Sequence, residues 1–547
     1  MQRNCLKIKF NHIMSIMLLL LLFNINCGKV FANNQTEPEN WKNRWYVNTI
    51  WYQIFPDRFF NSDTGNDPDF IETYEKNGKL IKQKVKDWND DSPTWTDKYG
   101  GDLYGIIQKL PYLNELGITG IWLNPIFKAT SNHKYNTSDY AVVDPSFGDR
   151  EVLKALIKQV HEKQMYLILD GVFNHCGYEF WVFQDIVKNG KNSPYTDWFH
   201  IKSYPIIPLW EQTAENKANY ECWWGFGSLP QLNLDNPDTR NYIFDICKSW
   251  MKLGIDGWRL DVPEEVKSKT FWTEWAKEMK AQNKNAYLTG EIWGEAKDWL
   301  LEGDKFDGIM NYHGFREPVL LYFSAGKIKV SQFDKILAER RALYPHYINC
   351  ALQNLLSSHD TVRILSALKN QDEKDGDKEK KDYDISAPNE ETIKKYKAVV
   401  LFQMTYVGAP MIYYGDEIGM YGGKDPNCRK PFVWDESKQN KDLLNWHKKL
   451  IEIRNKHKAL RTGDFNTVFT KDKQNIYCYE RVEKDEILTI CINYSKDEQK
   501  VSIPTKENRP FMDLITASVY KPEKKHITLK IKPYTGVILE QIKEKGV

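Results

Sequence analysis

The feature that most constrains the fold is a repeated alternation of short apolar β-type runs with longer segments of helical period, between about residues 50 and 415. Such alternation is typical of a parallel sheet whose strands are joined by crossover helices. Eight β-type runs are present, and eight parallel strands predict a closed barrel. The predicted strands are residues 50–55, 120–123, 166–170, 257–261, 286–291, 308–310, 354–357 and 410–414.

Two segments depart from this alternation. The connection over residues 175–235 is far longer than a usual βα loop of roughly 2 to 6 residues, and it predicts a small inserted domain. Residues 455–547 contain alternating strands without helices between them, which predicts a separate C-terminal β-domain. The expected fold class is therefore α/β: a (β/α)8 TIM barrel over residues 45–454, the inserted domain after its third strand, and a C-terminal antiparallel β-sandwich.

Length and charge narrow the class of protein further. At 547 residues the chain exceeds the size at which one hydrophobic core stops growing, so several domains are expected. The formal net charge is only +2, and no basic stripe or nucleic-acid motif is present, which excludes a nucleic acid as the expected partner. Residues 371–381 are almost all charged or glycine, and they are interpreted as a solvated loop without a function.

The first 32 residues have the layout of a secretory signal peptide. Basic residues precede an apolar run that is shorter than the roughly 20 residues needed to span a bilayer, and small residues lead to a cleavage site after Ala32. Residues 33–44 are then a linker. This pattern predicts a secreted or cell-surface protein without a stable membrane span, and lipid attachment at Cys27 is the less favoured alternative.

The cysteines predict neither a metal site nor a disulfide framework. Nine are present, and they lack ligand spacings such as C-x-x-C. Cys478 and Cys491 lie in neighbouring predicted strands and could pair in an oxidising compartment. Buried free thiols are the favoured interpretation for both.

Ionisable residues cluster where four of the predicted strands end, at residues 170–175, 257–261, 290–293 and 358–360. Barrels of this kind place catalytic groups at the carboxyl ends of their strands. Because strand side chains alternate, Arg259 and Asp261 face the same side, and Arg259 is expected to keep Asp261 ionised. Glu291, in a crowd of negative charge, is expected to have a raised pKa and to donate a proton. The two groups suit glycoside cleavage.

The four clusters resemble the motifs of the α-amylase family, glycoside hydrolase family 13. They match D-x-x-x-N-H, G-x-R-x-D, a glutamate at a strand end and a His-Asp pair, all intact, and the similarity extends over residues 45–547. The resemblance implies that Asp261 is the nucleophile, Glu291 the acid/base and Asp360 the stabiliser of the transition state. It also implies that the sugar is bound by Tyr135, His175, Arg259 and His359.

A polar loop before the first predicted helix suggests a cation. Asn61, Asp63, Asn66 and Asp67 supply four oxygen donors within seven residues, which suits a hard cation such as Ca²⁺. Extracellular family members hold calcium between such a loop and a Gly-Gly-Asp turn. The resemblance therefore implies a Ca²⁺ site formed by Asn61, Asp63, Asn66, Asp67, Gly100 and Asp102.

Three stretches, residues 229–233, 262–265 and 422–429, resemble the neopullulanase, cyclomaltodextrinase and maltogenic amylase group. This implies that Glu265 and Trp293 lie near the subsites that bind the leaving part of the substrate. Glu264 departs from the asparagine of that group. The N-terminal β-domain that forms the dimer in the intracellular relatives is also missing before strand one, so a monomer with an open cleft is expected.

The expected function is retaining hydrolysis of α-1,4-glucosidic bonds in starch, pullulan or maltodextrins. One alternative is a cyclomaltodextrinase or a glucanotransferase-type transglycosylase that acts on the same bonds. A non-catalytic glucan-binding relative is a second alternative, against which the intact carboxylates and Arg259 argue. Trp223, Trp224 and Phe226 fit sugar stacking and packing of the inserted domain equally well.

Overall fold

The computed structural model describes residues 37–374 and 383–542. The predicted signal peptide, Cys27, the first four residues of the predicted linker and most of the charged loop over residues 371–381 lie outside the described residues. Within the described residues, no helix has the length and apolar character needed to cross a membrane.

Eight parallel strands form the barrel, with the order β6-β5-β4-β3-β2-β1-β8-β7. A parallel bridge between Met310 and Gln353 joins the two end strands, and the Asn311 N–H donates to the Gln353 carbonyl at 2.8 Å. The predicted barrel is confirmed, although the seventh strand begins one residue earlier and ends two residues earlier than predicted. The strands β1 to β8 are Trp51–Ile54, Gly120–Leu123, Tyr166–Gly171, Gly257–Leu260, Tyr287–Gly290, Gly308–Ile309, Gln353–Leu355 and Ala409–Tyr413.

The barrel strands are buried throughout, apart from the half-buried first residue of β3, as expected for a sheet covered by helices. Gly257 begins β4 where β5 approaches closely, since a Cβ at Gly257 would lie 2.0 Å from the Tyr287 carbonyl oxygen. The α-helices of the described residues are Leu103–Leu116, Arg150–Glu162, Trp181–Asn189, Pro237–Leu253, Phe271–Gln282, Lys297–Leu300, Glu317–Val319, Val330–Arg341, His346–Ala351, Ile364–Asn370, Glu390–Thr405, Lys441–Lys456 and Lys458–Thr462.

Short polar side chains fix where several helices begin. Asp102 caps Leu103–Leu116 by accepting the Gly105 N–H. Asn236 caps Pro237–Leu253, whose first residue is a proline, as the sequence predicts. These caps fix the first residues of two helices that lead back to the next barrel strand.

The inserted domain after β3 is built on irregular antiparallel bridges rather than regular strands. His175 pairs with Gln231 and Cys222 with Pro230, so the two ends of the segment meet at its base next to the barrel. Phe183 packs at its centre, with its ring centroid 4.9 Å from that of Phe199. The predicted insertion after the third strand is confirmed.

The C-terminal region forms two antiparallel sheets. Its strands β9 to β16 are Asp464–Lys471, Ile476–Glu483, Glu486–Asn493, Gln499–Pro504, Phe511–Asp513, Val519–Tyr520, His526–Ile531 and Thr535–Gln541. One sheet has the order β9-β10-β11-β16-β13-β14, and β12 pairs with β15 in the other. Residues of both sheets share one apolar core, which confirms the predicted sandwich. Cys478 and Cys491 lie opposite each other on β10 and β11 and are buried free thiols.

Candidate active site

One buried arginine connects the carboxyl groups of three barrel strands. Arg259, on β4, donates from Nη1 to Asp170 Oδ1 at 2.8 Å and to Asp261 Oδ1 at 3.0 Å. Its Nη2 lies 2.7 Å from Glu291 Oε2 in an ion pair. The side chain of Arg259 is fully buried, and those of Asp261 and Glu291 are nearly so. The carboxyl ends of β3, β4 and β5 therefore meet at a single guanidinium.

Burial dominates the electrostatics of this cluster. It raises the pKa of Asp261 well above its usual range, and the charges of Glu291, Asp170 and Asp360 add to this, against the opposing effect of Arg259. Burial also raises the pKa of Asp170 to about 6, again against Arg259. Arg259, which is expected to keep Asp261 ionised, does lower the pKa of that carboxyl group, but burial and the neighbouring carboxylates outweigh its effect.

Besides Arg259, two N–H groups hold the Glu291 carboxylate. The Val262 N–H donates to Oε2 at 3.3 Å, and Trp293 Nε1–H donates to Oε1 at 3.1 Å. Trp293 stacks on Tyr312 with ring centroids 3.8 Å apart. Val262 has φ 35° and ψ 53°, a conformation that is strained for a β-branched residue. The turn after Asp261 therefore stores strain where it aims an N–H at the second carboxylate.

Asp360 is held from two directions. His359 Nε2 lies 3.1 Å from Asp360 Oδ2, and Arg429 Nη2 lies 3.2 Å from its Oδ1. Gln53 Nε2–H donates to His359 Nδ1 at 2.9 Å, which places the ring proton on Nε2. Burial, with the charge of Glu291, raises the pKa of Asp360 to about 7 against Arg429 and Arg259.

Two predicted sugar ligands flank the cluster. The Tyr135 hydroxyl donates to Asp170 Oδ2 at 2.8 Å, and its ring stacks on His359 at 5.2 Å. His175 Nε2 is buried without a hydrogen-bond partner, and burial lowers the pKa of His175 to about 4. A neutral imidazole nitrogen without a partner is available to a substrate hydroxyl.

The two predicted acceptor-side residues lie farther out. Glu265 is exposed, and its Oε1 accepts a hydrogen bond from Trp224 Nε1 at 3.2 Å. Trp293 is 39% exposed next to Glu291. All nine predicted catalytic and substrate-binding residues thus lie near the carboxyl ends of barrel strands or in the loops that follow them.

The sequence analysis gave no role to several residues that complete the site. Gln53 orients His359, and Arg429 binds both Asp360 and, through Nη1, Asp425 at 3.0 Å. Arg429 lies in the stretch over residues 422–429 that had been noted only as a group resemblance. Its charge was visible in the sequence, but its partner is 69 residues away. Only the tertiary structure brings them together.

The predicted calcium loop meets the Gly-Gly-Asp turn. Asn61 Nδ2–H donates to Asp67 Oδ1 at 2.8 Å, whereas the Oδ1 atoms of Asn61 and Asn66 are buried without partners. Gly100, with φ 77°, leaves the space between them, since a Cβ there would lie 2.2 Å from Asp67 Oδ1. Buried amide oxygens without donors beside a carboxylate fit a hard cation.

Asp102 and Asp63 fix the geometry of this loop. Asp102 Oδ2 accepts the N–H groups of Ser62 at 3.1 Å and Asp63 at 2.8 Å, while its Oδ1 caps the following helix. Asp63 Oδ1 accepts the Gly65 N–H at 3.0 Å. The loop and turn are therefore tied together by Asp102, and the remaining carboxylate lone pairs stay available for a cation.

A (β/α)8 barrel with two carboxyl groups on a shared buried arginine, at the carboxyl ends of β4 and β5, defines a glycoside hydrolase site. The family model of the α-amylase catalytic domain matches residues 53–463. The chain belongs to the α-amylase family, and it is a glucan hydrolase of the neopullulanase and cyclomaltodextrinase type.

Relatives and solved structures agree with this type. Neopullulanase 2 of Thermoactinomyces vulgaris is 38% identical over 498 residues, which cover 90% of this chain and 78% of that protein. A solved structure named cyclomaltodextrinase is 36% identical with a TM-score of 0.77, and the match covers 90% of this chain and 78% of that chain.

The prediction of a secreted or cell-surface protein is contradicted. The intracellular maltogenic amylase of Bacillus subtilis (strain 168) is 36% identical over 497 residues, covering 90% of this chain and 76% of that protein. A relative of the same type, which matches most of this chain, thus carries the word intracellular in its name. The apolar pattern of the first 32 residues, on which the prediction rested, lies outside the described residues.

Proposed function

We propose that the protein hydrolyses α-1,4-glucosidic bonds with retention of configuration. The observation that carries the proposal is the pair of contacts from Arg259 to Asp261 and Glu291, at 3.0 and 2.7 Å. Retaining enzymes keep their two carboxyl groups about 5 to 5.5 Å apart, whereas inverting enzymes need roughly 6.5 to 9.5 Å for a water molecule. Carboxyl groups held on one guanidinium favour the shorter separation.

The proposed mechanism assigns one role to each carboxyl group. Asp261, in its ionised form, attacks the anomeric carbon while Glu291 protonates the oxygen of the leaving sugar. Glu291 then removes a proton from water, which attacks the glycosyl-enzyme intermediate and releases Asp261. Asp360, held by Arg429 and His359, stabilises the positive charge of the transition state together with the hydroxyl contacts of the bound sugar.

Substrate binding displaces solvent from the carboxyl groups of Asp170, Asp261 and Asp360, whose pKa values are already raised by burial. The positive charge that develops on the sugar ring favours the ionised forms of Asp261 and Asp360 when the reaction needs them. Tyr135 contributes a flat ring face to the same subsite. The neutral His175, whose Nδ1 accepts the Asn174 Nδ2–H at 3.3 Å, contributes a donor Nε2–H. These contacts support binding of a glucose unit between Tyr135 and Arg259.

Maltodextrins, starch and pullulan are the proposed substrates. The names of the relatives favour cyclomaltodextrin hydrolysis as the second candidate, since one similar solved structure is a cyclomaltodextrinase. Transfer to a sugar acceptor rather than to water would use the same intermediate and is the other alternative. The chain is proposed to act as a monomer, which light scattering of the active protein tests.

We further propose that Ca²⁺ binds between the loop and the turn, through Asn61, Asp63, Asn66, Asp67, Gly100 and Asp102. Burial raises the pKa of Asp67, and the charges of Asp102, Asp57 and Asp63 add to it despite the hydrogen bond from Asn61. A divalent cation would relieve this repulsion. Its contribution would be to hold the loop against the start of the helix Leu103–Leu116, away from the reacting groups.

The test incubates the purified protein with pullulan, soluble starch and a cyclodextrin in parallel, with Ca²⁺ present. Proton NMR of the first products is expected to show the α-anomer, because retention involves two inversions at the anomeric carbon. Glu291→Gln is expected to lower kcat by several orders of magnitude. A β-anomer as the first product would exclude the retaining mechanism, and near-normal activity of Glu291→Gln would overturn the assignment.

A further inference from the structure

Three side chains that can bind a metal meet where the barrel joins the C-terminal domain. His457 lies between the helices Lys441–Lys456 and Lys458–Thr462, Glu486 begins β11, and Glu540 is the second-last residue of β16. One ring nitrogen or carboxylate oxygen from each lies within 4.8 Å of the other two. The three residues belong to separate elements and are far apart in the sequence, so the cluster is a product of the tertiary fold.

The strand register explains why both carboxylates face His457. Glu540 on β16 pairs with Leu488 on β11, and Glu486 lies two residues before Leu488. Side chains of paired residues, and side chains two residues apart on one strand, point to the same face of a sheet. Since β11 also contacts the helix Lys458–Thr462, the two glutamates are held against the end of the barrel.

The distances fit a small four-coordinate metal ion. His457 Nδ1 lies 2.8 Å from Glu486 Oε1 and 4.0 Å from Glu540 Oε1. Two ligands at about 2.1 Å from a tetrahedral Zn²⁺ are roughly 3.4 Å apart. The observed separations lie on either side of that value, so rotations of the glutamate side chains bring all three donors into place. The three side chains are half-buried, which leaves a fourth position to water.

Charge also favours a divalent cation here. Two carboxylates face one imidazole, so a divalent ion and a neutral ring together give a complex without net charge. The charge of Arg461 acts on Glu486, but the donors of Arg461 go to Asn48 Oδ1 and to two backbone carbonyls. In the part of the chain that the structure describes, no hydrogen bond joins this guanidinium to either glutamate.

We propose that His457, Glu486 and Glu540 bind a Zn²⁺ ion that ties β16 to the end of the barrel. One imidazole nitrogen, two carboxylate oxygens and a water suit Zn²⁺, whereas Ca²⁺ takes roughly 6 to 8 oxygen ligands. On binding, the metal takes the place of the hydrogen between His457 Nδ1 and Glu486 Oε1, and the neutral ring then carries its hydrogen on Nε2. The site is separate from the proposed calcium loop and from the catalytic carboxyl groups.

The test uses the full chain, first treated with EDTA and then dialysed into chelator-free buffer that contains Ca²⁺, so that the calcium loop does not compete for zinc. Calorimetric titration with Zn²⁺ is expected to show one site with a Kd of roughly 1 μM or lower. Glu540→Gln removes one ligand. It should raise this Kd at least about 10-fold, since loss of even an outer partner of a metal ligand costs roughly 10- to 100-fold.

A matched control and a stability measurement separate metal binding from folding. Glu498→Gln alters an exposed glutamate of the same domain that pairs with Lys530 at 3.1 Å, and it should keep the wild-type Kd. Glu540 Oε1 is beyond hydrogen-bond distance of His457, so the metal-free Glu540→Gln protein should melt within about 2 °C of the wild type. Added Zn²⁺ should raise the melting temperature of the wild type and of Glu498→Gln, and leave that of Glu540→Gln unchanged.

Co²⁺ provides a spectroscopic test of the same ligands. Four-coordinate Co²⁺ absorbs visible light much more strongly than the hydrated six-coordinate ion, so the wild type and Glu498→Gln should give an intense visible band that Glu540→Gln lacks. Equal Zn²⁺ affinity in the wild type and Glu540→Gln would place the ion elsewhere and overturn the proposal. A wild-type Kd above about 0.1 mM would also overturn it. Turnover of a glucan plays no part in these measurements, so their outcome is separate from that of the proposed function.

Discussion

At the scale of single residues, the site is organised by Arg259. Its buried guanidinium contacts Asp170, Asp261 and Glu291, and removal of it would leave desolvated carboxyl groups without a counter-charge. Arg429 repeats this arrangement for Asp360 on the other side of the cleft. With two arginines facing a larger number of carboxyl groups, the substrate-free site keeps protons that ordinary aspartates would lose.

Asp360→Asn is expected to stabilise the protein above neutral pH. The folded-state pKa of Asp360 is raised from 3.8 to about 7, so its favourable contribution is present below about pH 4 and is lost as the pH rises through 7. At pH 8 the ionised carboxylate opposes folding, and asparagine does not. We expect the free energy of unfolding of the variant at pH 8 to exceed that of the wild type by about 1 to 2 kcal/mol. A fully buried carboxyl group would give ~1.4 kcal/mol for each unit of its pKa shift, and partial exposure of the side chain reduces this.

Urea denaturation of both proteins at pH 8 and pH 4 measures this difference, and the pair at pH 4 is the internal control. The two proteins should have equal stability at pH 4, where both side chains are neutral. A variant that is less stable than the wild type at pH 8 would mean that the ion pair of Asp360 with Arg429 and its contact with the neutral His359 outweigh its burial.

At the scale of elements, the connection between β1 and the helix Leu103–Leu116 carries the proposed calcium site. Asp102 caps this helix and also accepts two N–H groups from the polar loop. The loop, the turn and the helix start therefore depend on one side chain. A cation held beside Asp102 and Asp67 would stabilise the element as a unit.

Chelation with EDTA is expected to lower the melting temperature, and added Ca²⁺ should restore it, since a ligand that binds only the folded state stabilises it. At a free calcium concentration 100 times the Kd the stabilisation is about 2.7 kcal/mol. Calorimetric scans with and without chelator measure the shift. Asp67→Asn should abolish the calcium-dependent part, and Asp69→Asn, a highly exposed neighbour, should keep it. Equal shifts in both variants would place the ion elsewhere.

At the scale of the whole molecule, β3, β4, β5 and β7 and the segment after β8 all contribute carboxyl groups to one buried cluster. Their titrations are coupled, so the pH dependence of the reaction reports the cluster rather than one residue. The raised pKa values of Asp261, Asp170 and Asp360 have the same main cause, which is burial.

The acidic limb of the pH profile for kcat/KM is therefore expected near pH 6 to 7, where Asp170 and Asp360 titrate, rather than near pH 4. Asp360 stabilises the positive charge of the transition state only as a carboxylate, so activity should fall as the pH drops through this window. Initial rates on maltoheptaose at concentrations far below KM, from pH 4 to 9, measure it. If kcat/KM instead falls only near pH 4, Asp170 and Asp360 ionise in the free enzyme as readily as exposed aspartates do.

The sequence by itself determined the barrel, the order of its motifs and the residues at its centre. Strand period and strand ends are local properties of the sequence. Because side chains two residues apart on a strand face the same side, the placement of Arg259 beside Asp261 could be inferred from the sequence. The tertiary structure decided what depends on distance and burial: the raised pKa of Asp261, the pairing of Arg429 with Asp360, and the convergence of the three proposed zinc ligands. These depend on contacts between residues far apart in the chain and on how much water remains around them, neither of which a local pattern contains.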